Sequence, residues 1–198
     1  MVFNSLVFLV FFGVVYSLYR LLPHRGQNTL LLVASYFFYG WWDWRFLSLI
    51  LLSTSVDFIA GRIIGNAEPG QRRRRVALCI SVTTDLTVLG FFKYFNFFAE
   101  NLAGLLQHLG VAASIHHLQI ILPVGISFYT FQTMSYTLDI YRGQLRPTRN
   151  FLDFATFVAF FPQLVAGPIE RAAHLLPQIV NPRTVTRAGI ESGAWLIA

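Results

Sequence analysis

Charge is what this sequence has least of. Only 12% of its 198 residues are Asp, Glu, Lys or Arg, and nine of them are acidic. A soluble domain carries about 25% charged residues, so a water-solvated globule is a poor starting point. Cysteine is nearly absent too: Cys79 stands alone, which excludes an intramolecular disulfide and a multi-cysteine metal site. Lying inside an apolar run, Cys79 reads as a small buried residue. The chain has no nucleophile triad, zinc motif, phosphate loop or dinucleotide fingerprint, and no internal repeat or low-complexity tract. No metal or bound cofactor is expected.

What is present is apolar. Hydrophobic residues make up 55% of the chain, with 20 Phe, 8 Tyr and 4 Trp, and the mean hydropathy is +0.56. That is the composition of a chain solvated by lipid, with aromatic side chains at the two interfaces. The formal charge of +6 could suggest nucleic acid, but the basic residues fall in short clusters between apolar runs, as topology signals do. The partner implied is a lipid bilayer, and nucleic acid is not expected. The sequence describes an all-α polytopic membrane protein.

Apolar runs cover about residues 2–19, 29–42, 46–60, 76–92 and 122–141. The second and third are short for the roughly 20 residues of a perpendicular span, so flanking residues must extend them. Trp41, Trp42 and Trp44 then sit at headgroup level. The first run has no basic residue before it and is followed by Arg20 and Arg25. This is the reverse of a cleavable signal peptide. Between the third and fourth runs, "GRIIGNAEPGQRRRR" marks a cytoplasmic loop. Counting backwards puts Arg20 and Arg25 in the cytoplasm and the N-terminus outside. "GRIIG" has the spacing of a close helix contact, yet its place in a basic loop weakens that signal. Residues 93–112 mix Phe and Leu with Lys93, Asn96, Glu100, Asn101 and Gln107, and are expected along the interface. Residues 151–169 contain Pro162 and Pro168 and have arginines on both sides, which fits a segment that dips in and returns on one face. A further span begins at about 189–198, so the whole reads as one incomplete membrane domain, the front of a longer chain.

The run "LPVGISFYTFQTMSYTLDIYRG", residues 122–143, is too polar for a simple anchor. At about 100° per residue, Ser127, Thr130, Thr133, Thr137 and Tyr141 form one polar stripe. Gln132, Ser135, Tyr136, Asp139 and Arg142 form a second, roughly opposite. Only the arc around Phe131, Met134 and Leu138 is purely apolar, so other helices must enclose this one. Its hydroxyls are expected to bond to backbone or to neighbouring helices. A carboxylate at membrane depth costs a few kcal/mol and marks a site or a pair; Asp139, near the cytoplasmic end, is expected either to reach water or to pair with Arg142. Asp57 and Asp85, inside other apolar runs, raise the same question. The five histidines, His24, His108, His116, His117 and His174, fall in loops or interfacial stretches with no Ser or Cys partner.

Three segments carry a family resemblance: "FFKYFNFF" (91–98), "LPVGISFYTFQTMSYTLDIYRG" (122–143) and "FVAFFPQLVAGPIER" (157–171). With "MVFNSLVFLVFF" and "ASYFFYGWW" they resemble, in order and over nearly the whole chain, the membrane-bound O-acyltransferase family in its bacterial alginate O-acetyltransferase branch. The resemblance implies the N-terminal part of a helical ring around a tunnel, with interfacial and re-entrant helices. An acyl thioester, with acetyl-CoA the expected co-substrate, would enter from the cytoplasm. The acetyl group would leave for an exopolysaccharide such as alginate, through periplasmic acetyl-acceptor or transferase proteins. The location implied is the bacterial inner membrane with a periplasmic N-terminus. Tunnel-lining candidates are Ser127, Thr130, Gln132, Ser135, Asp139, Arg142, Gly167, Pro168 and Arg171. The family's histidine base lies later in its fold, beyond Ala198, so no residue here is assigned as catalytic and residues 1–198 alone are predicted inactive. The competing readings are a transporter or channel subunit with a polar-lined helix, and a non-catalytic membrane scaffold.

Overall fold

A computed structural model describes residues 5–109, 121–164, 167, 170–183, 186, 189, 191–193 and 195. Among these residues every regular element is helical. Helix α1 (Leu6–Leu21) starts at Ser5, whose side chain accepts the Phe8 N–H. Pro23 precedes α2 (His24–Asp43), and a single 3₁₀ turn (Trp44–Phe46) leads into α3 (Leu47–Asn66). Arg45 donates to Asp43 across that turn and holds the Asp43 carboxyl below the usual carboxylate range. Helix α4 runs from Arg72 to His108, α5 from Ile126 to Tyr141. The remaining helices are α6 (Phe151–Ala159), α7 (Phe161–Leu164) and α8 (Ala172–Val180).

The stretch from α2 through α3 and the helix α4 are each long and apolar enough to cross a membrane. Their outward faces carry large apolar side chains, among them Val33, Ile59, Ile80 and Phe98, as lipid-facing helices do. Cys79 shares that outward face of α4 and is exposed, not buried as its apolar neighbourhood suggested. Helix α4 also continues without interruption through residues 93–108, past the apolar run that ends at residue 92. No proline falls between Arg72 and His108 to stop it, and its 37 residues reach about 55 Å.

Helices α3, α4 and α5 pack together at the centre, with α6 and α8 closing the other side of α5. The "GRIIG" stretch lies inside α3, not in a loop. Gly61 meets the ring of Tyr136 on α5, and Gly65 meets Pro147 just after it, so two missing side chains let α5 approach closely. Helix α5 opens at Gly125, whose φ of +77° favours glycine. A Cβ there would also meet the Leu164 carbonyl at 2.8 Å. Between α6 and α7 the helix breaks at Phe160. Pro162 has no N–H to give to the carbonyl of Val158, and its ring would strike it. The Phe161 N–H freed at this break goes to Ser35 Oγ on α2, at 3.1 Å.

One end of the bundle gathers the arginines. His24 Nε2 donates to the Val180 carbonyl at 3.0 Å, Arg183 lies over Tyr19, and Arg74 donates to the Tyr141 carbonyl at 2.8 Å. These contacts bring the end of α1, the start of α2, the start of α4 and the ends of α5 and α8 to a common face. Trp41, Trp42 and Trp44 lie at the other end, and Trp44 is 74% exposed. There Tyr39 donates to the Val124 carbonyl at 2.7 Å, tying α2 to the approach of α5.

Candidate functional site

The two polar stripes of α5 are both turned inward, in different directions. Phe131, Met134 and Leu138, the predicted apolar arc, are among its less buried residues. The stripe containing Thr133 and Thr137 faces α3 and α4. Thr133 Oγ1 donates to Asp85 Oδ2 at 3.1 Å, and Thr137 Oγ1 lies 3.0 Å from Ser81 Oγ. The other stripe faces α6 and α8. Gln132 Nε2 donates to the Phe157 carbonyl at 2.7 Å, and Ser135 Oγ accepts the Ala172 N–H at 3.3 Å while donating to Gln132 O. Tyr136 OH accepts the Thr148 N–H at 3.1 Å, fastening the loop after α5.

The candidates on α5 therefore point toward different neighbouring helices. Thr130 and Gln132 are buried, Ser127 and Ser135 are half-buried, and Arg142 and Arg171 are exposed, Arg171 at the start of α8. Thr130 Oγ1 has no hydrogen-bond partner. Gly167 donates its N–H to the Gln163 carbonyl at 3.0 Å, and Pro168 lies outside the described residues. Asp139 is 5% exposed, and among the described residues no ion pair joins it to Arg142. Arg142 follows the last turn of α5 and is exposed, and Asp139 Oδ2 is buried without a partner. His24 opens α2, His108 ends α4 and His174 lies on α8; His116 and His117 are outside the described residues. Among the described residues, no group of three His, Cys, Asp or Glu could hold a metal ion.

The deepest polar cluster centres on Asp57 of α3 and Asp85 of α4, 0% and 1% exposed. Ser81 Oγ donates to Asp57 Oδ1 at 2.5 Å. Ser53 lies beside Asp85, and Ser81 and Thr133 tie the two aspartates into one buried cluster. The crossing is reciprocal: each helix carries Ser-x-x-x-Asp, Ser53–Asp57 and Ser81–Asp85, and each serine faces the other helix's aspartate. Residues four apart share a helix face, so this repeated spacing was the available signal for the cluster.

A second buried network lies near the arginine-rich end. Asn28 Nδ2 donates to Asp153 Oδ1 at 2.8 Å and to the Ile179 carbonyl at 3.0 Å, and Arg183 donates to Asn28 Oδ1. Beside it, Arg62, Arg146 and Arg149 line an open cleft of about 860 Å³ with Pro147, Pro177 and Asn181. Its three guanidinium groups suit a phosphate or another anion.

The chain is 45% identical to the probable alginate O-acetylase AlgI of Azotobacter vinelandii and 45% identical to that of Pseudomonas aeruginosa, each over 187 residues, 94% of its length. It is 31% identical over 208 aligned positions, 90% of the chain, to the peptidoglycan O-acetyltransferase of Helicobacter pylori. The chain spans 37%, 36% and 38% of the lengths of these three relatives. No family model and no solved structure matches it. Over nearly all of its length, the chain is homologous to bacterial proteins named as O-acetyltransferases of alginate or peptidoglycan.

Proposed function

We propose that this chain forms part of a membrane O-acetyltransferase that modifies a cell-envelope polysaccharide. Similarity along 94% of the chain to proteins named as alginate O-acetylases carries this reading. The geometry supports it through α5, a 16-residue helix whose two polar faces are both enclosed. Helix α5 is a wall of the acyl path, fixed on one side to α3 and α4 and on the other to α6 and α8. The reacting groups are not assigned to any of residues 1–198, because the family resemblance places the histidine base beyond Ala198.

In this reading the arginine-rich end faces the cytoplasm of a bacterial inner membrane and the N-terminus is periplasmic. The donor is a cytoplasmic acyl thioester. Coenzyme A carries several phosphate charges, and the cleft between Arg62, Arg146 and Arg149 offers them cationic partners. The acetyl group leaves on the tryptophan-bearing side, for periplasmic proteins that place it on the polymer.

Membranes containing the complete protein, supplied with acetyl-labelled coenzyme A, should transfer label to a polysaccharide or protein acceptor. Consumption of the thioester with no labelled acceptor, or no consumption, would overturn the assignment.

A further inference from the structure

We propose that Asp57 and Asp85 hold one exchangeable proton between them, as a buried proton-binding site where α3, α4 and α5 meet. The argument is one of hydrogen-bond inventory and charge, and it stands apart from the acyltransferase reading. A carboxylate only accepts hydrogen bonds. Ser81 serves Asp57 Oδ1 and Thr133 serves Asp85 Oδ2, which leaves Asp57 Oδ2 and Asp85 Oδ1 with no donor. The two carboxyl groups share one buried cluster: Ser81, which bonds Asp57, stands one turn before Asp85 on α4, and Thr137, one turn after Thr133 on α5, meets Ser81. One proton makes either carboxyl a donor to the other.

Among the described residues no other donor reaches these two oxygens in bonding geometry. Ser53 Oγ is fully buried beside Asp85 and has no hydrogen-bond partner within bonding geometry. It is an unfilled polar position aimed into the same site. Thr137 Oγ1 is in reach of the Met134 carbonyl, and Thr54 Oγ1 donates to the Ile50 carbonyl. The titratable groups facing the pair from α5 are Tyr129 on the Asp85 side and Tyr136 on the Asp57 side. Both are neutral phenols. Arg62, on the same helix as Asp57, lies over the Phe58 ring and forms no ion pair with either carboxylate. From α6, Asp153 is bound to Asn28. Two negative charges in this enclosure would thus have no cation to offset them, and a buried unpaired charge is costly. Like charges this close share a proton instead. The bound proton then joins α3 to α4 through the carboxyl pair, with α5 held to α4 by Thr133 and Thr137.

Infrared spectroscopy of the complete protein in membranes at neutral pH tests this. The wild type should show a C=O stretch of a protonated carboxyl that shifts in D₂O. Asp57→Asn and Asp85→Asn should each remove that one carboxyl equivalent, because the amide N–H takes over the donor's place and the remaining aspartate ionises. Absence of the band in the wild type would overturn the proposal, and that measurement decides even if a variant fails to insert. Survival of the band in either variant would also overturn it, by assigning the proton to a single carboxyl. Loss of the wild-type band on adding sodium at constant pH would assign the site to a metal cation and overturn it as well.

Discussion

Gly61 of α3 lies directly against Tyr136 of α5: a Cβ at position 61 would stand 2.5 Å from Tyr136 Cε1. That distance is far inside van der Waals contact, and Tyr136 cannot retreat. Its ring packs on Phe154 with centroids 4.3 Å apart, and its hydroxyl holds the Thr148 N–H. Gly61→Ala should therefore destabilise the bundle by about 1–3 kcal/mol, the usual cost of overpacking. Gly13→Ala on α1, where nothing lies within 4 Å, should be neutral or slightly stabilising. Thermal unfolding of the two variants in detergent checks the contrast, and equal effects would place α3 and α5 further apart than described.

The two serines of the carboxyl cluster should behave differently. Ser81→Ala removes the donor to Asp57 and should cost about 1.5–3 kcal/mol, as for hydrogen bonds to charged groups. Ser53→Ala removes a hydroxyl with no partner and should cost less than about 1 kcal/mol. The same unfolding measurement reads both. A larger loss for Ser53 would show that its hydroxyl completes a bond to Asp85.

These residues also show what the sequence made legible. The polar stripes of α5 were readable because all their members except Arg142, just past its end, lie on one helix at spacings of three and four. The Asp57–Asp85 pair was not, although both Ser-x-x-x-Asp spacings were in view. Which aspartate meets which serine depends on the vertical register of α3 against α4, which no single helix encodes. Asp139 shows the opposite failure. Three residues from Arg142 is a plausible pairing distance, but Arg142 follows the last turn of α5 and is exposed. The "GRIIG" contact was undervalued because the apolar run ended at residue 60, whereas α3 carries Arg62 on its exposed side and continues to Asn66. Helix α4 outran its apolar segment in the same way.

The arginine cleft yields a kinetic prediction. If Arg146 and Arg149 receive donor phosphates, Arg146→Gln and Arg149→Gln should each raise the KM for the acyl thioester by about tenfold, with kcat less affected. Steady-state assays with the complete protein in membranes separate the two parameters. A fall in kcat at unchanged KM would remove the cleft from donor binding.

The orientation can be read with thiol labelling. Cys79→Ala removes the one cysteine of residues 1–198, and any cysteine elsewhere in the complete protein is replaced in the same way. In it, Trp44→Cys should react with a membrane-impermeant reagent added from the periplasmic side, and Glu68→Cys should react only after the membrane is opened. The reverse pattern would invert the topology and place the arginine cleft away from any cytoplasmic donor.

The most direct test of the central claim is the acetyl content of the envelope polysaccharide in a strain lacking the gene. The account predicts that polymer is still secreted in normal amount but has lost its O-acetyl groups, and that the complete gene restores them. Polymer that remains fully acetylated, or polymer that is no longer secreted, would contradict it.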